Sequence, residues 1–363
     1  MKYHNPIITG FHPDPSVCRV GNDFYLVNSS FEYFPGIPIY HSTDLTHWEQ
    51  IGHVLDRKNQ LKLVSGAPNC LGIYAPTIRY HEGIFYCIVT NVGGRSGGNF
   101  FVYTTDPYGR WSNPVKLPFA GIDPSLFFDE DGRIYYTGTD TGIYITEITF
   151  DVVRNDTPKR NELPVSIQNV KCGEKHYIWN GSGGNNPEGP HLYRIHDMYY
   201  LMIAEGGTEY CHMVTIARSK NVYGPYEACP HNPVLSNRST CLNIKAIGHA
   251  DLVEDSQGSW WAVCLGIRPL GYPFRHNLGR ETMLAPVKWE NGWPVMGDNG
   301  TVTETFEVET APGKKTRKSD FYIPGSNMTD TFCSNKLHPS WNTIYTPVSK
   351  FVKPTRRGLS LCA

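Results

Sequence analysis

The chain contains 363 residues, with 33 Lys and Arg against 34 Asp and Glu, so its formal net charge is −1. This balance gives no reason to expect a nucleic acid or a membrane surface as a partner, and no apolar run approaches the roughly 18 residues that a membrane-spanning helix needs. An aromatic fraction of 13%, with 35 Gly and 27 Pro, is typical of many short strands joined by turns.

One pattern recurs along the chain: a short apolar strand, a tight turn and a second apolar strand. Its five copies open at 12–16 (HPDPS), 75–80 (APTIRY), 121–125 (GIDPS), 188–193 (EGPHLY) and 248–253 (GHADLV). The turns of the copies are Gly21-Asn22, Glu82-Gly83, Asp131-Gly132, His196-Asp197 and Gln257-Gly258. Dipeptides of this kind between apolar runs are typical of β-hairpins.

The spacing of the copies indicates the architecture. Equivalent positions 15, 76, 124, 190 and 250 are 61, 48, 66 and 60 residues apart, somewhat above the usual propeller repeat of about 40–50 residues. Third strands are expected at 37–41, 100–103, 143–148, 213–217 and 281–285, and no helical periodicity is found. The sequence therefore predicts an all-β chain that folds as a five-bladed β-propeller.

The pattern changes after about residue 300. We expect a propeller over 1–300, a linker over 301–329 that includes the basic run at 314–318, and a further β element over 330–363. Fewer than about 40 residues rarely fold alone. Residues 330–363 are therefore either the beginning of a C-terminal β-sandwich in a longer protein or a tail that packs on the propeller.

Three acidic residues stand just before the first strand of their blades: Asp14, Asp123 and Glu188. In a propeller the first strand of each blade lines the central channel, so these carboxylates should meet at one mouth of it. Because Asp commonly begins turns, each copy alone is also explained by a turn. Turn formation alone is a poorer explanation for three acids in corresponding places. Like charges held close together are unfavourable, and such clusters indicate a functional site.

Three carboxylates suit glycoside cleavage. One acid protonates the leaving oxygen, one carboxylate activates water or attacks the sugar, and the third raises the pKa of the acid. Phe31 and Tyr74 are candidates for stacking on a sugar ring, or are simply core residues.

Two basic residues have open roles. His249 either binds substrate, a water or a central cation, or is a structural histidine. Arg280 either contacts sugar hydroxyls, orients a carboxylate, or pairs structurally with Glu281 or another acid.

At these residues the sequence resembles glycoside hydrolase family 43, a family of five-bladed propellers that includes β-xylosidases and α-L-arabinofuranosidases. The resemblance covers roughly residues 5–300 and lies in the motifs FHPDPS (11–16), GIDPS (121–125), PEGPH (187–191), EGGT (205–208) and GHAD (248–251). It implies that Asp14 is the general base, Asp123 the pKa modulator and Glu188 the general acid of an inverting mechanism.

The resemblance also implies a substrate, namely terminal pentoses of xylan- or arabinan-derived oligosaccharides. Phe31, Tyr74, Thr208 and Arg280 match substrate-pocket positions, and His249 matches a central position that helps to hold calcium in some members. No cofactor is implied beyond that structural ion. Many xylosidase-type members carry Trp at the position of Tyr74 and continue into a C-terminal β-sandwich, so xylose against arabinose preference stays open.

Two rival functions are compatible with a propeller. A retaining enzyme of the invertase type would carry a nucleophile motif resembling Asn-Asp-Pro-Asn, which this chain lacks. A non-catalytic carbohydrate-binding propeller would be marked by the loss of an axial acid, and none is lost.

The cellular location is predicted from the N-terminus and the cysteines. Residues 1–6 lack the apolar stretch of a signal peptide, and the ten cysteines form no CxxC pair. Cys18, Cys87 and Cys264 fall in predicted strands as small buried hydrophobes. We therefore expect a cytoplasmic protein, or a secreted one if a leader has been removed; the oligomeric state is not predicted.

Overall fold

A computed structural model describes residues 2–64, 66, 68–93, 97–308, 330–332, 337–347, 352–355 and 358–361. These residues form strands, turns and loops without a helix, which confirms the all-β prediction. Within the described ranges, nothing meets the length and hydropathy of a membrane-crossing helix.

Blades one and two come first in the chain. Blade one is an antiparallel sheet in the order β2-β3-β5-β6, and blade two has the order β8-β9-β10-β11 with β7 also paired to β9. The strands of this part are β1 (Lys2–His4), β2 (Ser16–Val20), β3 (Asp23–Val27), β4 (Tyr33–Phe34), β5 (Gly36–Ser42), β6 (Glu49–Leu55), β7 (Gly72–Ile73), β8 (Thr77–His81), β9 (Ile84–Val92), β10 (Gly98–Thr104) and β11 (Val115–Lys116).

Blades three, four and five follow the same plan. In blade three both β15 and β16 pair with β14, and blades four and five are simple four-stranded meanders. Their strands are β12 (Ile122–Phe128), β13 (Ile134–Thr139), β14 (Ile143–Arg154), β15 (Val165–Cys172), β16 (His176–Trp179), β17 (Glu188–Ile195), β18 (Met198–Glu205), β19 (Met213–Ser219), β20 (Glu227–Ala228), β21 (Lys245–Glu254), β22 (Trp260–Ile267), β23 (Glu281–Glu290) and β24 (Trp293–Met296).

The five sheets are arranged around a ring. The first strands β2, β8, β12, β17 and β21 contact one another in that order, and β21 returns to contact β2. The second strands are buried on both faces, as in β9, where eight of the nine residues are buried, because each blade packs between two neighbours. The prediction of five blades is therefore confirmed, and Cys18, Cys87 and Cys264 are buried as expected.

The N-terminal segment is held against blade five. β1 pairs with β25 (Thr305–Glu307), and Asn5 exchanges two hydrogen bonds with the backbone of Leu284, at 2.9 and 2.8 Å. Further along, the N–H of His12 donates to the carbonyl of Arg280 at 2.9 Å. These contacts bring the start of blade one next to Arg280, near the mouth of the channel.

The described part of the C-terminal region contacts blade one. β26 (Thr343–Ile344) pairs with β4, and the N–H of Tyr345 donates to the carbonyl of Glu32 at 2.8 Å. β27 (Val352–Thr355) and β28 (Gly358–Leu361) form a hairpin. Most of the predicted linker, residues 309–329, lies outside the described residues, so the domain boundaries stay predictions.

Candidate active site

Four blades have a left-handed residue just before the first strand or within it. The φ angles are 51° at Asp14, 53° at Asp123, 60° at Gly189 and 46° at His249. A β-bulge accompanies three of these positions, in β12, β17 and β21. Bulges re-aim side chains next to active sites, and a left-handed non-glycine residue is a strained conformation that clusters there.

Glu188 stands one residue before the left-handed position of its blade, so its placement differs from the expected register with Asp14 and Asp123. Gly189 takes that position instead. A Cβ on Gly189 would lie 2.9 Å from Cε1 of His249, so glycine is needed there for space as well as for its φ angle. The bulge allows Glu188 to enter the same pocket from the neighbouring position.

One pocket of about 540 Å³ brings together all eight residues that the sequence singled out. The aromatic rings form one wall: the centroids of Phe31 and Tyr74 lie 5.3 Å apart, and the Arg280 guanidinium lies 5.2 Å from the Phe31 ring centroid. The residues in question are Asp14, Phe31, Tyr74, Asp123, Glu188, Thr208, His249 and Arg280. Their roles in catalysis stay predictions.

Asp14 is 5% exposed and is held by two donors. Arg280 Nη1 donates to its Oδ1 at 2.9 Å, and the Ser29 hydroxyl donates to its Oδ2 at 2.6 Å. Burial acts to raise the pKa of Asp14, but the charge of Arg280, the His249 ring and the Ser29 hydrogen bond outweigh it, so the pKa lies below its ordinary value. Asp14 is therefore an ionised carboxylate.

Glu188 has the opposite electrostatic character. Burial, followed by repulsion from Asp14, raises its pKa to about 7, with Arg280 acting in the other direction. A carboxyl group with this raised pKa keeps its proton to higher pH than an ordinary glutamic acid does. The pocket therefore holds a carboxylate and a carboxylic acid together, the two forms that acid–base hydrolysis needs.

Asp123 is 7% exposed. The charges of Glu188 and Asp14 both act on its carboxyl group. Burial first, then repulsion by Glu188 and Asp14, raises its pKa well above its ordinary value, although the N–H of Gly189 donates a hydrogen bond to it. Since Asp123 and Glu188 repel each other when both are ionised, the first of them to lose its proton keeps the other protonated.

Arg280 orients a carboxylate, which was one of its expected roles. Its Nη1 also donates to Thr208 Oγ1 at 3.0 Å, so Thr208 fixes the guanidinium that pairs with Asp14. Glu281 is bound by Arg268 at 2.7 and 2.9 Å, so the acid that pairs with Arg280 is Asp14, and whether this pair is structural or functional stays a prediction.

His249 is buried, and burial lowers the pKa of its ring. Among the described residues, no group of three or more His, Cys, Asp or Glu side chains is arranged to hold a metal ion. Calcium beside His249 stays a prediction.

A buried ion pair below the pocket was not found from the sequence. Arg79 donates two hydrogen bonds to Asp251, at 2.8 and 3.1 Å, and the hydroxyls of Ser16 and Tyr193 donate to the same carboxylate at 2.6 Å each. These four residues come from the first strands of four different blades. Sequence separations of 58 to 235 residues leave no local signal for such contacts.

Other lining residues were also missed, among them Phe11, Glu209, His212 and His276. Phe11 extends the aromatic wall, with its ring centroid 5.8 Å from that of Phe31. Phe11 is the first residue of the motif FHPDPS and Glu209 directly follows EGGT, and these positions are the one signal by which they could have been found.

Comparison with known proteins decides the family. The model of the family described as glycosyl hydrolases family 43 matches residues 3–294. The chain belongs to glycosyl hydrolase family 43. The resemblance read from the motifs is thereby confirmed, and the family 43 chain can be compared with individual relatives.

Two curated relatives are each 46% identical to the family 43 chain. One is named non-reducing end alpha-L-arabinofuranosidase BoGH43B, from Bacteroides ovatus, and aligns over 97% of this chain and 65% of its own length. The other is a xylosidase/arabinosidase from Butyrivibrio fibrisolvens, aligned over 84% of this chain and 59% of its own length. The chain thus spans 65% of the length of the first relative and 59% of the length of the second.

Solved structures agree with the fold. A structure described as Bacteroides ovatus Xyloglucan PUL GH43B matches with a TM-score of 0.85 and 43% identity, over 99% of this chain and 68% of that one. A family 43 protein of Bacillus licheniformis, BlXynB, matches with a TM-score of 0.83 and 36% identity, over 99% of this chain and 67% of that one.

Proposed function

We propose that this protein is a glycoside hydrolase that removes terminal pentose residues, β-1,4-xylosides or α-L-arabinofuranosides or both, from xylan- or arabinan-derived oligosaccharides with inversion of configuration. The observation that carries the proposal is the pairing of Asp14, with its lowered pKa, and Glu188, with its pKa raised to about 7, in one pocket. The names of the two relatives support pentosides as the substrate class.

In the proposed reaction, a water molecule attacks the anomeric carbon of the terminal sugar. Asp14 accepts a proton from this water as the new carbon–oxygen bond forms, and Glu188 donates its proton to the leaving oxygen as the glycosidic bond breaks. Asp14 ends protonated and Glu188 ends ionised, and exchange with solvent restores both. Arg280 and Ser29 hold the Asp14 carboxylate in a fixed orientation for this step.

Asp123 is proposed to favour the protonated form of Glu188. When Asp123 carries the negative charge of the pair, ionisation of Glu188 requires a second buried anion beside it, which is strongly disfavoured. Phe31 and Tyr74 are proposed to contact the apolar face of the sugar, because their rings line the pocket beside Arg280.

The test is an assay of the chain on nitrophenyl β-D-xylopyranoside and nitrophenyl α-L-arabinofuranoside. Turnover of at least one, abolished in Asp14→Asn, is expected. Proton NMR of the first-formed sugar should show the inverted anomer, and the retained anomer would favour the invertase-type mechanism. Binding of pentosides without turnover would instead support a carbohydrate-binding propeller.

A further inference from the structure

Glu205, the last residue of β18, is a fully buried acid that the mechanism above does not use. Its Oε1 accepts hydrogen bonds from the Ser182 N–H at 2.7 Å and from the Thr215 hydroxyl at 2.5 Å. Its Oε2 accepts a hydrogen bond from the Gly184 N–H at 2.6 Å. Burying a carboxyl group is costly unless it is hydrogen-bonded, so these three donors hold Glu205 in place, and Glu205 in turn holds the backbone that carries two of them.

The loop that Glu205 holds, residues 181–187, leads directly into Glu188. It contains three glycines, and glycine loses more conformational freedom on folding than any other residue, so the loop does not keep one conformation by itself. A Cβ on Gly181 would lie 2.6 Å from Cδ of Glu205, and a Cβ on Gly184 would lie 2.7 Å from its Oε2. Glycine at these two positions therefore allows the loop backbone to approach the carboxyl group closely enough to donate to it.

The residues on either side of Glu205 contact the same segment. The N–H of Gly206 donates to the carbonyl of Asn185 at 2.7 Å, and Ala204 is the cross-strand partner of Glu188. A β-bulge follows Glu188 in β17 and separates it from the regular ladder of blade four. The end of β18 therefore holds Glu188 on the side that the ladder does not reach.

We propose that Glu205 is a positioning residue for the hydrolysis: by holding the loop before Glu188, it fixes the Glu188 carboxyl group at the place from which a proton reaches the leaving oxygen. A displacement of about 1 Å at a reacting group can lower a rate about 10²-fold. Glu205 thus affects the rate through Glu188, without touching the substrate itself. This inference rests on the proposed function, since it requires Glu188 to act as the acid.

The experiment compares leaving groups of different acidity, because the need for a proton from Glu188 depends on them. Glu205→Gln keeps the shape of the side chain but replaces one acceptor oxygen with an NH2 group, which cannot accept a hydrogen bond from the loop. We expect kcat/KM to fall about tenfold or more on an alkyl pentoside and less than about twofold on a dinitrophenyl pentoside.

Asp255→Asn is the matched control. Asp255 is 2% exposed and also binds two backbone N–H groups and one side-chain donor, at 2.8, 3.0 and 3.0 Å. It follows the end of β21, whereas the pocket is lined from the first half of that strand. Asp255→Asn should therefore lower stability in urea unfolding without changing the ratio of activities on the two substrates.

A milder pair of variants covers the case in which Glu205→Gln does not fold. Thr215→Val removes one donor to Glu205 and keeps both loop hydrogen bonds, whereas Thr215→Ser keeps a hydroxyl. We expect Thr215→Val to lose about threefold in kcat/KM on the alkyl pentoside alone. Thr215→Ser should match the wild type on both substrates.

The outcome for Glu188→Gln on the same two substrates separates failure of this inference from failure of the proposed function. If Glu188→Gln loses activity mainly on the alkyl pentoside while folded Glu205→Gln loses it equally on both, or loses none, Glu205 only stabilises the fold and the proposal is overturned. A Glu188→Gln variant without leaving-group dependence, or a wild type inactive on all pentosides, would instead overturn the proposed function.

Discussion

Arg280 Nη1 donates a hydrogen bond to Asp14 Oδ1 at 2.9 Å, across 266 residues of sequence. The two residues lie in the first and the last blade of the sequence, and the pairing of the N-terminal segment with blade five brings them together. The guanidinium lowers the pKa of Asp14, and it acts in the same direction on Glu188 and Asp123. One cation therefore acts on the pKa of all three acids, although burial and repulsion between the acids outweigh it at Glu188 and Asp123.

Arg280→Met tests this relationship. Without the guanidinium, the pKa of Asp14 should rise, so the acidic limb of the pH–rate profile should move to higher pH. The alkaline limb should move in the same direction, because Arg280 also lowers the pKa of Glu188. The profile of kcat/KM against pH on a nitrophenyl pentoside measures both limbs.

Arg133→Met is the control, because Arg133 pairs with the exposed Asp131 rather than with an acid of the pocket. Its profile should keep both limbs in place. A profile of Arg280→Met that coincides with that of the control would show that the ion pair is only structural.

The division of labour between Asp14 and Glu188 gives a second prediction. Glu188→Gln should lower kcat about 10²- to 10⁴-fold on an alkyl pentoside or a xylo-oligosaccharide, whose leaving groups need a proton, and much less on a dinitrophenyl pentoside. Asp14→Asn should abolish turnover of both, since activation of water is needed whatever the leaving group. Equal losses of the two variants on both substrates would contradict this assignment.

The fold and the three acids could be predicted because their signals are local. Strand–turn–strand patterns recur five times, and each acid lies next to the strand that positions it. The one-residue offset of Glu188 is present in the sequence, because Glu188 precedes position 190 by two residues whereas Asp14 and Asp123 precede positions 15 and 124 by one. The Arg79–Asp251 pair depends on contacts between distant strands, which no short motif encodes.

A third prediction concerns the Arg79–Asp251 pair. Asp251 is fully buried, and Asp251→Asn would leave Arg79 without a counter-charge, which should destabilise the fold by about 3–5 kcal/mol. Urea unfolding followed by tryptophan fluorescence measures the loss. Asp131→Asn, which breaks the exposed pair with Arg133, should change the free energy of unfolding by about 0–1 kcal/mol.

The same pair makes stability depend on pH. Although burial acts to raise the pKa of Asp251, Arg79 and His191 outweigh it, and the folded-state pKa is lower than the ordinary value. The stabilisation is therefore present above the unfolded-state pKa of about 3.9 and is lost as pH falls towards the folded-state value. Wild type and Asp251→Asn should converge in stability in strong acid, and a constant difference would contradict this account.

The last prediction concerns Asp123 and separates an electrostatic role from a structural one. Asp123→Asn keeps the shape of the side chain and removes its ability to carry charge. Where Asp123 is the ionised member of the pair, it keeps Glu188 protonated, so without it the pKa of Glu188 should fall and the alkaline limb should move to lower pH. The acidic limb of the pH–rate profile should not move. At the low pH of that limb Asp123 is uncharged because its pKa is raised, so replacing it with the uncharged asparagine changes no charge there. Asp129→Asn, at a buried carboxylate of the same blade bound by Tyr199, should keep both limbs. If Asp123→Asn also kept both, Asp123 would either be uncharged while Glu188 titrates or be a turn-forming residue whose charge Glu188 does not sense.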